Sequence, residues 1–589
     1  MTINVAASYK SDDDVFDQWC ASFNGALANK DYERVAALFA DDGYWRDILT
    51  FDDRIQTAQG PAAIRNMLCG RRDGGETLHL SRDGGTRIET LPGVGRVTGS
   101  FVRYETKDVV GRGYIRLTAD AHRVLTLLTS VEELKGFPEK SLRNRDGEIH
   151  RSGPNWLDRR LVDQAYEDRD PQVLVIGAGH AGLTVAARLR HLGVDTLVVD
   201  RAERVGDNWR SRYHSLTLHN EICCNHLPYL PFPASWPVYI PKDKLAGWLE
   251  FYAEAMELNV WNRTTFLGGE YDDAAKRWHA RLQMADGRIR TMRPSHIIMA
   301  IGVSGIPNTP TFAGQDRFKG EIIHSSRFSS AVDVASKSVV VVGAGTSAHD
   351  IAQDVFLRGG RPVLIQRSSV TVVGAEQATR AYAAFRSNEG VLGIEDTDLM
   401  VASIPFDLLR RVHGPLSKMM AEGDAELLRR LSQVGFLLDN GEDDTGFFMK
   451  LVRYHGGYYL NVGASDLIIE GKIGLKSGVE VSQLKEHAVE LSDGSAIEAD
   501  LIVLGTGYSP LQEAVAAMFG PEIAKRVGPI WGIGPDGELR SMWMRTGQPG
   551  FFVAGGTFTM SRFYSKVTAL LIKADLEGIS LGNAVPRSM

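Results

Sequence analysis

The sequence predicts an α/β protein in which two doubly wound, parallel-sheet units follow an α+β domain. Two observations predict the α/β part: the order strand, glycine loop, helix stands at 172–192 and returns at 338–360. A third predicts the leading domain, because helical periodicity gives way to β-rich runs before the first glycine loop. A chain of 589 residues can bury several cores and is expected to divide into two to four domains. The net charge of −7 supplies no basic surplus for phosphate backbones, so no nucleic-acid partner is expected and a small molecule is the natural one. Cys20, Cys69, Cys223 and Cys224 are too few for a disulfide framework and show no metal-ligand spacing. No metal is expected, and a reducing, cytoplasmic setting fits. The first fourteen residues lack the basic end and apolar run of a secretory signal, and no apolar stretch is long enough for a membrane span.

From residue 15 to about 68 apolar residues recur at helical intervals, as in Phe16, Phe23, Leu27 and then Val35, Leu38, Phe39, with Asp31 placed to cap the second run. Two or three helices are expected there. Beyond 70–75 the runs 97–104, 114–119 and 121–129 read as strands of an antiparallel sheet. The segment FDQWCASFNGALANKDYERVAALFADDGYWRDIL and the strands after it resemble the NTF2-like (SnoaL-like) cone fold. That resemblance makes 1–135 a domain and puts Asp41, Asp42, Trp45 and Asp47 where such cones place pocket residues; packing within or between domains is the other reading. The charged, Pro- and Gly-bearing stretch 136–171 is a linker with room for one short helix.

At 172–176 the run QVLVI leads into Gly177-Ala178-Gly179-His180-Ala181-Gly182 and then a helical pattern. In this Rossmann arrangement Gly177 permits the tight turn, Gly179 lets backbone approach a pyrophosphate, and Gly182 lets helix pack on strand. Helix-start amides and the helix dipole then face the phosphates. Asp200 ends the next strand, at the interval expected for a carboxylate on ribose hydroxyls. Gly206-Asp207-Asn208-Trp209 resembles the segment that closes over FAD in flavin-containing monooxygenases; that resemblance makes the first dinucleotide FAD.

The second loop, Gly343-Ala344-Gly345-Thr346-Ser347-Ala348, follows SVVVV and substitutes Ala348 for the third glycine, a permitted small residue. The strand after it ends in Gln366-Arg367-Ser368 with no acid. Arg367 and Ser368 suit the 2′-phosphate of NADPH, since guanidinium binds phosphate through a fork of hydrogen bonds; a solvated strand-end charge is the alternative, and NADH use stays open.

Phe318-Lys319-Gly320-Glu321-Ile322-Ile323-His324-Ser325-Ser326-Arg327-Phe328 matches F-x-G-x-x-x-H-x-x-x-F/Y. By this motif the chain resembles class B flavoprotein monooxygenases, the group of flavin-containing and Baeyer–Villiger monooxygenases. The cone-like extension resembles the type II flavin-containing members. HIIMAIGVSGIPNTP at 296–310, DLIVLGTGY at 500–508 and the segment from Gly550 resemble the group's domain crossings and C-terminal FAD segment, with a helix beginning around Tyr564. These matches divide the chain into FAD-binding parts at 172–330 and 501–589 around a NAD(P)H-binding domain at 331–500, which includes a substrate-covering insertion.

The resemblance implies that NAD(P)H reduces FAD and that reduced flavin and O2 form a C4a-(hydro)peroxyflavin. One oxygen atom then enters a small organic substrate, by Baeyer–Villiger oxidation of a ketone or by oxygenation of N or S. It implies a conformational role for His324 at the domain junction. Asn220 is the candidate polar group beside the flavin, with His219 and Asn225 as alternatives, and Arg327 either stabilises a peroxyanion or sits as a charge at an interface. Two other readings remain: a disulfide reductase using Cys223 and Cys224, and a non-catalytic nucleotide-sensing module. A homodimer is compatible with the sequence.

Overall fold

Val173–Ile176 is buried throughout and Ser338–Val342 nearly so, as expected of β-branched runs covered on both faces by helices. Each is the central strand of an all-parallel, five-stranded sheet in the computed structural model, which describes residues 12–70, 78–120, 122–140 and 153–581. Across the first sheet the strands run Asn259–Trp261, Thr196–Val199, Val173–Ile176, His296–Met299 and Phe551–Val553. Across the second they run Glu321–His324, Leu501–Leu504, Ser338–Val342, Arg361–Gln366 and Gly474–Ser477. In both, the chain leaves the central strand to one side and later returns on the other, which opens a crevice at the carboxyl ends of the strands. Glu321–His324 and Leu501–Leu504 thus lie in the second sheet, although divisions at 331 and 501 would assign both to the first. A short apolar run reports burial but not which sheet receives it.

The leading unit is α+β. Helices Asp12–Ala28, Tyr32–Ala37 and Gly60–Cys69 pack with a seven-stranded sheet. The expected strands lie at Gly95–Glu105, Val109–Thr118 and Val124–Leu134. Phe39–Ile48, which helical spacing had joined to the preceding run, is a strand that pairs in parallel with Val124–Leu134. Its residues from Gly43 on are buried on both faces, so no alternation announces it. Trp45 and Asp47 fill the interior: the Trp45 indole N–H donates to Thr129 Oγ1 (3.0 Å), whose hydroxyl donates to Asp47 (2.6 Å). Asp41 pairs with Arg123 at the surface and Asp42 reaches Arg411 of another unit, both in line with the packing alternative. Part of the linker, 141–152, and residue 121 lie outside the described residues; Trp156–Ala165 is the linker's short helix.

Between the second sheet's strands an insertion at 375–454 is helical, with Ile394–Ala402 and Phe406–Gly423 facing the leading unit. Arg46 is the centre of this contact. Its fully buried guanidinium donates to both oxygens of buried Glu538 (2.8 and 2.5 Å), to Tyr564 Oη (3.0 Å) and to the Ala402 carbonyl (2.7 Å). Tyr44 Oη donates to Asp407 (2.7 Å) and Arg116 to the Met400 carbonyl (3.1 Å). Among the described residues no helix is long and apolar enough to cross a membrane.

Removing one partner of a buried ion pair leaves the other charge uncompensated, at about 3–5 kcal/mol. Arg46→Met is expected to lose about that much stability in chemical denaturation, and the double variant with Glu538→Gln distinctly less. Equal losses in the two would show that the pair does not hold this junction.

Candidate functional site

At the first crevice Gly177 takes φ +110°, and a Cβ there would lie 2.5 Å from the Ala300 carbonyl oxygen of the neighbouring strand's extension. Gly182 is equally constrained, its hypothetical Cβ falling 2.0 Å from the Gly177 oxygen. Gly179 differs. A Cβ there would meet only the Asn208 amide, at 3.6 Å, so its missing side chain opens the loop outward. Gly179 caps helix His180–His191 without a side-chain hydrogen bond, leaving the first amides directed into the crevice. The Asp200 carboxylate accepts from Ala178 N–H (2.7 Å) and Ala202 N–H (2.8 Å), which fixes it at the rim with lone pairs to spare. The Trp209 indole N–H is buried without a partner among the described residues. His180 donates from Nε2 to the Gly556 carbonyl (3.0 Å) and stacks on Phe558 (4.2 Å); burial pushes it down to about 4, so it stays neutral. These contacts join the loop to the C-terminal helix Phe558–Glu577, which starts six residues before the expected Tyr564.

The second crevice repeats the plan with one exchange. Gly343 takes φ +120°, with a Cβ position 2.3 Å from the Gly505 oxygen. Ala348 replaces the third glycine, and the space it occupies is yielded by Gly505, where a Cβ would stand 2.8 Å from that of Ala348. Gly345 has nothing within 4 Å of its Cβ position and caps helix Thr346–Leu357 without a side-chain hydrogen bond. Thr346 and Ser347 both line the space in front, and the Thr346 hydroxyl donates to the Tyr458 carbonyl (3.0 Å) on the same wall. Gln366 is fully buried and exchanges two hydrogen bonds with the Leu437 backbone. Beyond it the 76% exposed Arg367 side chain stands 4.0 Å from Glu480, and Ser368 lies beside it on the same wall.

One cavity of about 820 Å³ runs from this loop toward the first domain. Its walls include Gly343, Gly345 and Ser347, both domain crossings at Ser304 and Gly507, and Asn220 and Thr557 from the first unit. Asn220 therefore lies where the two units meet, its amide donating to Asn225 Oδ1 (3.0 Å). Asn225 is buried behind it, and His219 lines the cavity 3.3 Å from Asp350. Burial opposes charge on His219, but the Asp350 carboxylate outweighs it and holds the imidazole above its usual value.

His324 sits behind this wall. Its Nε2 donates to the Gly507 carbonyl (2.9 Å) and its Nδ1 accepts from Ser326 N–H (3.1 Å), and burial lowers its basicity. Gly320 allows the turn, its Cβ position being 2.3 Å from the Asp500 oxygen, and Phe328 is fully buried in the second core. The motif is thus a brace for the second crossing. Arg327 is exposed and is not part of the cavity wall.

Sequence reasoning missed Arg212, Tyr382 and His455, all on the wall. Tyr382 and His455 come from the insertion and its end, where no motif exists. His455 carries a visible irregularity only in the structure, φ +53°, and is held neutral by burial at about 4. The Cys223 and Cys224 sulfurs are 3.9 Å apart as free thiols, packed against Phe385, and neither lines the cavity.

Residues 174–380, which hold both glycine loops, match the pyridine nucleotide-disulphide oxidoreductase family. Indole-3-pyruvate monooxygenase YUCCA1 of Oryza sativa subsp. japonica is 28% identical over 357 residues, spanning 60% of this chain and 80% of the relative. Probable indole-3-pyruvate monooxygenase YUCCA3 of Arabidopsis thaliana is 28% identical over 343 residues, spanning 57% and 72%. Among solved structures, cyclohexanone monooxygenase with ε-caprolactone superposes with a TM-score of 0.51 at 16% identity, covering 69% of this chain and 88% of that one.

Because the Gly345 Cβ position is open, Gly345→Val should fold normally and fill the cradle instead. Calorimetry is expected to show an unchanged melting temperature and NADP+ affinity reduced tenfold or more. Undiminished affinity would place the dinucleotide elsewhere.

Proposed function

We propose that this chain, a class B flavoprotein monooxygenase-like enzyme, seats FAD at the first glycine loop and NADPH at the second. We further infer that it inserts one oxygen atom from O2 into a small organic substrate admitted between them. The observation that supports this reading is the cavity at the second loop, whose walls also take in both crossings and the first unit's Asn220 and Thr557.

The residues fit the two cofactors. Gly177, Gly179 and Gly182 make the FAD cradle, Asp200 faces the ribose, and the orphaned Trp209 N–H offers a donor to the phosphates. Gly343, Gly345, Thr346, Ser347 and Ala348 make the NADPH cradle, with Arg367 and Ser368 at the 2′-phosphate. NADH lacks only that last contact and remains an accepted second donor. When bound, FAD supplies hydride acceptance and the chemistry with O2.

The protein's own share is orientation and exclusion of water. Asn220, fixed by Asn225, presents an amide to the reacting centre. The neutral His324 holds the Gly507 crossing and moves no proton, and the exposed Arg327 serves as a junction charge. Tyr382 and Leu451 from the insertion wall off the cavity, in which an activated oxygen species must outlast competing breakdown to hydrogen peroxide. The leading unit, read as an NTF2-like cone, acts as a scaffold, since Trp45 and Asp47 fill its interior and Arg46 grips the insertion. The disulfide-reductase reading has no thiol on the cavity wall to carry it.

For the substrate, the rice and Arabidopsis relatives are named for indole-3-pyruvate, a 2-oxo acid. A ketone or 2-oxo acid therefore ranks ahead of a sulfide or amine. Turnover with NADPH and 18O2 on a panel of these classes is expected to give a product that carries one atom of 18O. NADPH oxidation yielding only hydrogen peroxide with every class would refute oxygen insertion.

A further inference from the structure

Arg212 stands out among the arginines of its segment. Arg204 and Arg210 are ion-paired with Asp207 and Glu250. Arg212, half-buried on the wall of the cavity, has no ion-pair partner among the described residues. Its Nε is sealed from solvent with no hydrogen bond among the described residues, and its guanidinium carbon lies 5.9 Å from the centre of the Tyr213 ring. A guanidinium that lines a cavity with a sealed, unbonded Nε–H and no anion beside it is placed to meet an anion that arrives later.

The chain on the C-terminal side of Arg212 is anchored in the second unit. Tyr213 and Leu216 belong to the hydrophobic core of the second unit although they follow the first unit's Gly206 turn. Tyr213 Oη donates to Asp350, and Ser215 N–H donates to Asp354 (3.3 Å), both on helix Thr346–Leu357. The backbone that carries Arg212 is thereby tied to the helix whose first turn opens on the same cavity. Gly343, Gly345, Ser347 and Ser325 line that space with it.

We propose that Arg212, a residue of the FAD-binding unit, clamps the pyrophosphate of the nicotinamide dinucleotide seated at the start of helix Thr346–Leu357. The proposal rests on the reading that the second loop holds that dinucleotide. In a Rossmann unit the pyrophosphate lies at the first helix start and the adenosine 2′-position at the end of the following strand. Arg367 and Ser368 occupy the latter place, so Arg212 meets the part that NADPH and NADH share. A guanidinium fork answers two phosphate oxygens at once. Because the clamp comes from the other unit, seating the dinucleotide also pins the two units at their mutual position.

The test uses the FAD-loaded full-length enzyme and equilibrium binding of NADP+ and NAD+. A charge-assisted hydrogen bond contributes about 1.5–3 kcal/mol, or roughly a ten- to hundredfold change in affinity. Arg212→Met is expected to weaken both dinucleotides by the same factor in that range, with Arg212→Lys intermediate, whereas Arg367→Met weakens NADP+ alone. FAD content and melting temperature of the Lys variant guard against a folding artefact. Binding within twofold of wild type in Arg212→Met, or a loss confined to NADP+, overturns the clamp. Failure of the wild type to bind either dinucleotide overturns the cradle reading itself, and the proposal falls with it.

Discussion

Both crevices depend on a backbone-to-backbone approach that no side chain could survive. Gly177 passes so close to the Ala300 carbonyl, and Gly343 to that of Gly505, that a Cβ at either would sit inside the neighbouring chain. The consequence is geometric: each glycine loop is pressed against the extension of the strand across the topological switch point, and helix amides are left open beyond it. The crossings reach the cavity at Ser304 and at 505–508. At the second crevice loop and crossing form one wall, and any widening at Gly343 or Gly505 would alter the space in front of them.

The rest of the molecule supports that wall. His324 holds the second crossing from behind, and His180 joins the first loop to the C-terminal segment. From further away, Arg46 links the leading unit to Glu538 and to the end of the insertion helix at Ala402. Glu538 belongs to the turn that also carries Trp531, whose ring lies 5.3 Å from that of His455 on the cavity wall. Packing in the leading unit thus reaches the site through rigid contacts, without the unit supplying a wall residue of its own.

How much of this was legible in the sequence follows the range of the signal. Both glycine loops and the acid Asp200 could be read because their demands are local: φ beyond the reach of a side chain, a helix start, a strand end. Gly320 and His324 were legible as a motif, but their function as a brace needed the Gly507 carbonyl, which lies far along the chain. Ala348 was readable as small, while the compensating Gly505 was not. The strand Phe39–Ile48 escaped because burial on both faces removes alternation. Arg212 escaped for a different reason. An unpaired charge is a statement about what is not nearby, and spacing along a chain does not report that.

The central claim is that the cavity lets electrons pass from a nicotinamide held at the second loop to a flavin held at the first. The direct measurement mixes NADPH with the FAD-loaded enzyme in the absence of oxygen and follows flavin absorbance. The account predicts loss of the oxidised-flavin band in proportion to NADPH added, and its return when air is admitted. A band that persists while both dinucleotides are demonstrably bound would contradict it.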